Sequence, residues 1–272
     1  MKAATARALR KRRSIVFGYH GVGQASQDED PHYLWVTEDT VRCHVELLLE
    51  AGFEFCTVAA LAAMADGGEP PPGYAALSFD DGMEDNHSVL MPLLQEYGVT
   101  ATIYVTTGLI GQPNPWLAES LGQRMMTEDE IRAVAAAGIE IGAHSVTHPD
   151  MALLGYDECM REMTTSRAEL ERILGQPVRT FAYPFTRYGA QAAEAARDAG
   201  FLAAVTGEGR GSWAPHEMQR AGMIHGKDGM PSFLLKAAGA YHALFDSPPG
   251  RIARGSSRGL RRRARALAER RG

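Results

Sequence analysis

Short apolar runs of strand length alternate with amphipathic segments along most of the chain. The strand-like runs cover residues 15–19, 53–58, 75–79, 100–105, 139–143, 179–183 and 201–205. Most are followed by a segment with apolar residues at helical spacing, the longest at residues 157–174. This alternation predicts a parallel sheet covered by helices. Its regular repetition favours a closed or nearly closed (β/α) barrel in a single domain over an open sheet.

Capping residues predict where several helices begin. Thr127 and Glu130 have the spacing of a capping box. Thr37 fits the N-cap of an earlier helix. Pro231 is suited to the first turn of a last helix, which we expect to reach about residue 245.

Polar residues suited to catalysis or metal binding follow the predicted strands. They are His20, Asp80, Asp81, His144 and the pair Tyr183-Pro184, each at the carboxyl end of an apolar run. Barrel enzymes place their active sites at this end of the strands. We therefore expect these side chains to share one face of the barrel.

Asp80-Asp81 and the segment 144–148, which reads His-Ser-Val-Thr-His, have the composition of a metal site. Two imidazoles and one carboxylate can hold a cation, and the second carboxylate is then free to act on the proton of an attacking water. Pro149 disfavours helical backbone at His148, so we expect both histidines on a loop. Together, the two aspartates and the two histidines favour metal-dependent hydrolysis.

Two other interpretations use the same residues. Asp80 and Asp81 could form a turn with Gly82 and cap the next helix, while the histidines could be hydrogen-bonded loop residues. A non-haem iron oxygenase also binds iron through two histidines and one carboxylate. The additional carboxylate disfavours the oxygenase, because that chemistry has no obvious need for a second acid.

Three ordered motifs resemble those of a known family. Residues 78–82 read SFDDG, similar to TFDDG in the polysaccharide deacetylase family, also called carbohydrate esterase family 4 or the NodB-homology domain. Residues 144–148 read HSVTH and resemble its HSxTH motif, and residues 179–185 resemble the FAYPxG form of its third motif. The resemblance covers residues 17–245. It implies a distorted (β/α)7 barrel that removes an N-acetyl or other N-acyl group from an amino sugar.

The resemblance also implies a role for each motif residue. Asp80 would be the general base. The ligands of one divalent metal would be Asp81, His144 and His148. The usual metal is zinc, with nickel, cobalt, manganese and iron as alternatives. The backbone N–H of Phe185 would help to bind the oxyanion.

The third motif departs from the family at two positions. The arginine that orients the base is replaced by Ala182, and the glycine expected after Phe185 is Thr186. Another residue must therefore position Asp80, and we expect Arg187 to do so.

The general acid has two candidates. In the family it is usually a histidine in a Leu-x-His motif, which Met223-Ile224-His225 resembles. Members that open with a Tyr-His pair look circularly shifted, and this chain opens with Tyr19-His20. Since the first strand then supplies the acid, we predict His20 and place the chain in this Tyr-His subgroup.

Composition fits one enzyme domain. A chain of 272 residues, 45% of them hydrophobic, is enough for one large α/β domain with an ample core. Cys43, Cys56 and Cys159 are far apart and odd in number, so we expect no disulfide and a reducing compartment. The apolar run after residue 13 is too short for a signal peptide, and none reaches the roughly 18 residues of a membrane-spanning helix. We therefore expect a soluble, cytoplasmic protein.

The formal net charge of −5 hides basic ends on an acidic body. Residues 1–13 hold six of the 28 Lys and Arg and residues 251–272 hold nine, with one of the 33 acidic residues. The remaining 13 basic and 32 acidic residues give the barrel at 14–250 a net charge of −19, which disfavours nucleic-acid binding. The two tails could contact the inner surface of an anionic membrane, or fold back on the acidic body.

The sequence leaves the substrate open. Most family members act on extracellular polymers, but the expected cytoplasmic location favours a nucleotide-linked, lipid-linked or antibiotic-like glycoside. Trp35, Trp116 and Trp213 lie in Pro- or Gly-rich loops, where they could stack on a sugar or anchor the loop. A hydrolase of non-sugar amide C–N bonds and a catalytically silent carbohydrate-binding barrel are the alternatives. Acetate release from N-acetylglucosamine oligomers distinguishes them.

Membrane contact through the tails makes one testable prediction. The full chain should float with liposomes of anionic lipid, and deletion of residues 1–13 or 251–272 should weaken flotation, because the acidic body is repelled by such lipid. Liposomes of neutral lipid are the control. The hypothesis fails if flotation is absent or independent of both tails.

Overall fold

The apolar runs of the sequence form the strands of a parallel sheet. We describe residues 13–208 and 212–238 of a computed structural model of the chain. Their strands are β1 (Ile15–Tyr19), β2 (Gly21–Val22), β3 (Trp35–Val36), β4 (Glu54–Phe55), β5 (Tyr74–Phe79), β6 (Thr102–Val105), β7 (Glu140–Ala143), β8 (Thr180–Ala182), β9 (Ala203–Glu208), β10 (Met218–Arg220) and β11 (Gly222–Met223).

The main sheet curves into a nearly closed barrel. Its order is β10-β9-β8-β7-β6-β5-β1-β11, and β4 pairs with the start of β5. All of these pairs are parallel. Because only Ala221 separates β10 from β11, one continuous segment joins β9 to β1. Counting that segment once, seven strands form the ring, as in the (β/α)7 barrel that the resemblance implies.

Seven α-helices surround the strands within the described residues. They are α1 (Glu38–Glu50), α2 (Val58–Ala65), α3 (Met91–Tyr97), α4 (Glu128–Ala136), α5 (Tyr156–Leu174), α6 (Ala190–Asp198) and α7 (Met230–Ala237). A π-helical segment, Asn86–Leu90, precedes α3. The capping box of Thr127 and Glu130 and the N-cap at Thr37 are confirmed. The strand predicted at residues 53–58 is shorter, because Thr57 caps α2.

Apolar packing differs between the two sides of the sheet. The main core lies between the helices and the outer face of the strands. The barrel interior is lined partly by small residues, among them Ala76, Ala182 and Val205. A Cβ atom on Gly18 would lie 2.1 Å from Sδ of Met223 and 3.2 Å from Cδ of Arg220, so this glycine leaves room for both side chains.

Several predictions concern residues outside the described ranges. They are the tails at 1–12 and 251–272 and the end of the last helix beyond residue 238, so the domain boundaries stay predictions. Within the described ranges, no helix combines the length and apolar character that crossing a membrane requires. Cys43, Cys56 and Cys159 are unpaired, as expected.

Candidate active site

The predicted site residues meet at the carboxyl ends of the strands. Asp80 and Asp81 follow β5, His144 follows β7, and His20 follows β1. The backbone N–H of Asp80 donates to the carbonyl of Tyr19 (2.9 Å), which aligns the ends of β5 and β1. The shared face expected from the sequence is therefore confirmed for these residues.

Asp81, His144 and His148 form a compact group. Oδ1 of Asp81 lies 3.5 Å from Nε2 of His144 and 3.3 Å from Nε2 of His148. One ligand atom from each residue lies within 4.8 Å of the other two. His144 and His148 are on a loop, as predicted from Pro149. Three side chains thus converge from two strand ends.

The loop that carries the histidines is held from two sides. The carbonyl of Ala182 lies 2.8 Å from Nδ1 of His144, which leaves Nε2 to face Asp81. Glu162 on α5 accepts hydrogen bonds from the backbone N–H groups of Val146 (2.7 Å) and Thr147 (2.9 Å). Sequence reasoning missed Glu162, because nothing in its helical segment marks it as different from the other acidic residues there.

The chemistry of this group fits a divalent metal. Oδ1 of Asp81 is buried without a hydrogen bond of normal geometry in the described part of the chain. Burial raises the pKa of Asp81, but His144 and His148 outweigh this and hold it below its ordinary value. An anionic oxygen beside two imidazole nitrogens is a typical donor set for zinc and related metals.

Asp80 is oriented by Arg220 and not by Arg187. Arg220 donates to both carboxylate oxygens of Asp80, with distances of 2.7 Å and 2.9 Å. The exposed fraction is 0% for Arg220 and 2% for Asp80. Burial raises the pKa of Asp80, but the guanidinium outweighs it and holds the pKa below its usual value. The fork geometry makes this a strong, directional contact.

Further bonds fix Arg220 itself. Its Nε donates to the carbonyl of Thr206 (2.9 Å), and one terminal nitrogen also donates to Oγ of Ser78 (3.2 Å). Arg220 comes from β10 and reaches Ser78 and Asp80 on β5 and its carboxyl end, whereas the family usually has its arginine at the position of Ala182. Arg220 lies in a segment, Gln219-Arg220-Ala221, that contains none of the three motifs, so its role was not predicted from the sequence.

Two expected site residues have other roles. Arg187 is 60% exposed in its side chain and pairs with Asp150 (2.8 Å), so its expected contact with Asp80 is wrong. Tyr183 is buried, and its hydroxyl donates to the carbonyl of His216 (2.8 Å). Its ring stacks on Tyr188, so Tyr183 belongs to the packing behind the site.

His20 and His225 lie side by side, with ring centroids 5.8 Å apart. Nδ1 of each is buried without a hydrogen-bond partner in the described residues. Burial lowers the pKa of His20, while the charges of Asp81 and Asp80 oppose the shift. Burial also lowers the pKa of His225, to about 4. Of these two histidines, only His20 has a pKa that the charges of Asp80 and Asp81 raise.

An aromatic rim surrounds His148. The rings of Phe185 and Trp116 approach it edge-on, with centroids 4.6 Å and 4.8 Å away. Phe185 is 55% exposed and has a φ of +55°, which is unusual for an aromatic residue. Of the seven described non-glycine residues with positive φ, five lie at this site: Asp81, Ser145, His148, Phe185 and Thr186. Strained backbone of this kind concentrates at functional sites.

A second group of potential ligands is already used structurally. It contains Glu84, His87 and Glu130 and is half-buried. Both oxygens of Glu130 accept hydrogen bonds from Arg124 (2.7 and 2.6 Å). We therefore assign this group to the packing of α4.

Residues 67–204 match the family model described as Polysaccharide deacetylase. The chain belongs to the polysaccharide deacetylase family. The membership and the parallel barrel confirm the family resemblance and support carbohydrate deacetylation, whereas assignment to the Tyr-His subgroup stays a prediction.

Known relatives agree with this membership. YxkH of Bacillus subtilis (strain 168), named as a polysaccharide deacetylase, is 26% identical over 192 residues, 70% of this chain and 63% of its own. A chitin deacetylase of Colletotrichum lindemuthianum is 30% identical over 104 residues, 38% of each chain. The chain thus spans less than two thirds of the length of these curated relatives.

Solved structures share the fold. The Streptococcus pyogenes deacetylase PplD, solved in complex with acetate, has a TM-score of 0.69 at 25% identity, covering 83% of this chain and 98% of its own. IcaB from Ammonifex degensii has a TM-score of 0.71 at 20% identity, covering 84% and 98%.

The buried pair of Asp80 and Arg220 predicts a non-additive effect on stability. Arg220→Met should lower the free energy of unfolding by about 3–5 kcal/mol, because it leaves a buried carboxylate unpaired. Adding Asp80→Asn should restore part of that loss. Urea unfolding measures both. The control is Arg187→Met at an exposed ion pair, which should change stability by at most about 1 kcal/mol. Additive effects of the two substitutions would contradict the coupling.

Proposed function

We propose that the protein is a metal-dependent hydrolase that removes an N-acetyl group from an amino sugar or glycoconjugate. The observation that carries the proposal is the pair of adjacent carboxylates in different environments. Asp81 faces two imidazoles, whereas Asp80 is held by Arg220. One carboxylate is thus placed as a ligand and the other as a base.

The residues that would hold the metal are Asp81, His144 and His148. A divalent metal bound there supplies a Lewis acid that polarises the acyl carbonyl and favours ionisation of water. The hydrogen bond between His144 and the carbonyl of Ala182 fixes the ring so that Nε2 faces the centre. Zinc fits the donor set best.

Asp80 is suited to act as the general base. Its pKa lies below the ordinary value, so it is ionised at neutral pH and can accept the proton of the attacking water. The water oxygen forms a bond to the acyl carbon as that proton leaves. Arg220 keeps the carboxylate in one orientation during the transfer.

Two other groups complete the reaction. The backbone N–H of Phe185 is the candidate oxyanion donor, because the N–H groups of Thr186 and Arg187 already donate to the carbonyls of Tyr183 and Pro184. Because burial lowers its pKa, His20 first takes up a proton from solvent, and it donates that proton to the nitrogen as the C–N bond breaks. The products are acetate and the free amine, and solvent returns the protons to their starting places.

The aromatic rim, in which Phe185 is exposed and Trp116 is half-buried, supports a sugar substrate. Phe185 and Trp116 present apolar surface beside His148, where a pyranose face could stack. Nucleotide-linked, lipid-linked and other intracellular glycosides remain the proposed classes, with a cytoplasmic location. The basic tails, which would suit a lipid-linked substrate, lie outside the described residues. A non-sugar amidase and a silent sugar-binding barrel are not favoured by the family membership.

The divided roles of the two carboxylates predict different variant phenotypes. Asp80→Asn should keep the bound metal but lower kcat by about 10²–10⁴, because the water then lacks its base. His144→Ala should lose metal first. Acetate release from N-acetylglucosamine oligomers and elemental analysis of the purified protein measure the two properties.

Asp129→Asn on α4 is the control, since this exposed residue should change neither property. Full activity of either site variant would rule out the assignment. A parent protein that releases acetate only from non-sugar amides would rule out the sugar substrate.

The general acid is tested by comparing two histidines. His20→Ala should lower kcat by about 10²-fold or more, since the amine leaves unprotonated. His225→Ala should keep kcat within a few-fold of the parent. Both variants should retain the metal, because neither residue is a proposed ligand. The opposite order of effects would assign the acid role to His225.

A further inference from the structure

Trp35 lies at the junction of three segments that carry or adjoin site residues. Cβ atoms added to Gly21 and Gly23 would lie 2.3 Å and 2.9 Å from its indole ring. One added to Gly226 would lie 2.2 Å from its backbone oxygen. Trp35 is 7% exposed, so it anchors its loop instead of presenting a surface for a sugar.

The indole N–H of Trp35 donates a hydrogen bond to a buried carboxylate. Nε1 donates to Oδ2 of Asp85 (2.7 Å), and Oδ1 of Asp85 accepts the backbone N–H of Val22 (2.8 Å). Burial raises the pKa of Asp85 to about 7, and the N–H groups of Val22 and Trp35 oppose the shift. The two N–H donors therefore stabilise the charged form of Asp85, which burial disfavours.

Asn86 extends this network to the backbone of His20. Its Nδ2 donates to Oδ1 of Asp85 (3.0 Å) and to the carbonyl of His20 (3.1 Å). Asp85 and Asn86 thus hold the backbone on both sides of Gly21, directly after β1. Since both follow Asp81 by only a few residues, the network connects the segment that carries a proposed metal ligand to the proposed acid.

We propose that Asp85 and Asn86, together with the indole N–H of Trp35, are positioning residues that fix His20 relative to Asp80 and Asp81. The proposal rests on the proposed function of His20. His20 ends its strand, and its Nδ1 has no hydrogen-bond partner within the described residues. Its ring direction therefore depends on its backbone, which the network holds.

Asp30 provides a matched comparison. It is also a buried carboxylate, and it accepts the backbone N–H groups of Leu34 and Trp35, both at 2.9 Å. It supports the same loop, but within the described part of the chain it makes no hydrogen bond to residues 20–22. A purely structural role for Asp85 would make the two carboxylates equivalent in their effect on the reaction.

The experiment compares Asp85→Asn and Trp35→Phe with Asp30→Asn in the full chain. Asp85→Asn replaces one of the two acceptor oxygens by an NH2 donor, and Trp35→Phe removes the indole N–H but keeps a ring. Both should lower kcat by about 10- to 100-fold, since displacement of a catalytic group by about 1 Å has effects of this size. KM should stay within about twofold, and metal content should not change. Asp30→Asn should leave kcat within about twofold.

A double variant tests whether the effect passes through His20. In the His20→Ala background, Asp85→Asn should cause no further fall in kcat, because the group that it positions is already absent. A further fall of tenfold or more in that background would overturn the proposal, as would an unchanged kcat in Asp85→Asn alone.

Nuclear magnetic resonance separates this proposal from the proposed function. In protein labelled at histidine, the imidazole signals of His20, assigned by their loss in His20→Ala, should shift in Asp85→Asn and Trp35→Phe but not in Asp30→Asn. Unshifted signals overturn the positioning role even if the enzyme is active. Shifted signals in a protein that releases no acetate support positioning and reject the deacetylase function.

Discussion

The carboxylate of Asp80 is almost fully removed from water, and a charge in that position is stable only with a partner that replaces its hydration. Arg220 provides this through two parallel hydrogen bonds and is itself held by Thr206 and Ser78. The guanidinium of Arg220 lowers the pKa of the Asp80 carboxyl group and fixes the direction in which that group points. Every chemical role assigned to the neighbouring residues presupposes an ionised, correctly aimed Asp80.

Small residues near this pair allow side chains and backbone to pack closely. Gly18 leaves space for the side chains of Met223 and Arg220, and Ala182 has a small side chain in a buried apolar cluster. The same Ala182 contributes its carbonyl to His144. A residue that departs from the family motif therefore still contributes to the site, because its backbone carbonyl orients the ring of a proposed metal ligand.

Much of the site could be predicted from the sequence because its residues are local. Asp80 and Asp81 are adjacent, His144 and His148 share one loop, and all end apolar runs whose direction fixes their face. The orientation of Asp80 could not be predicted, because Arg220 is 140 positions away and only the register of the closing strands brings them together. Trp35 was equally ambiguous, since only three-dimensional packing distinguishes an anchor from an exposed platform.

The segment that carries Arg220 is also the one that joins β9 to β1 and brings the ring close to closure. A growing chain therefore contains both strand ends of the ligand group well before it contains the arginine that aims the base. Contacts between such distant parts of a chain form late and slowly. The proposed ligand group and the arginine that orients Asp80 therefore lie in parts of the chain that are synthesised at different times, and pairing of the last strand brings them together.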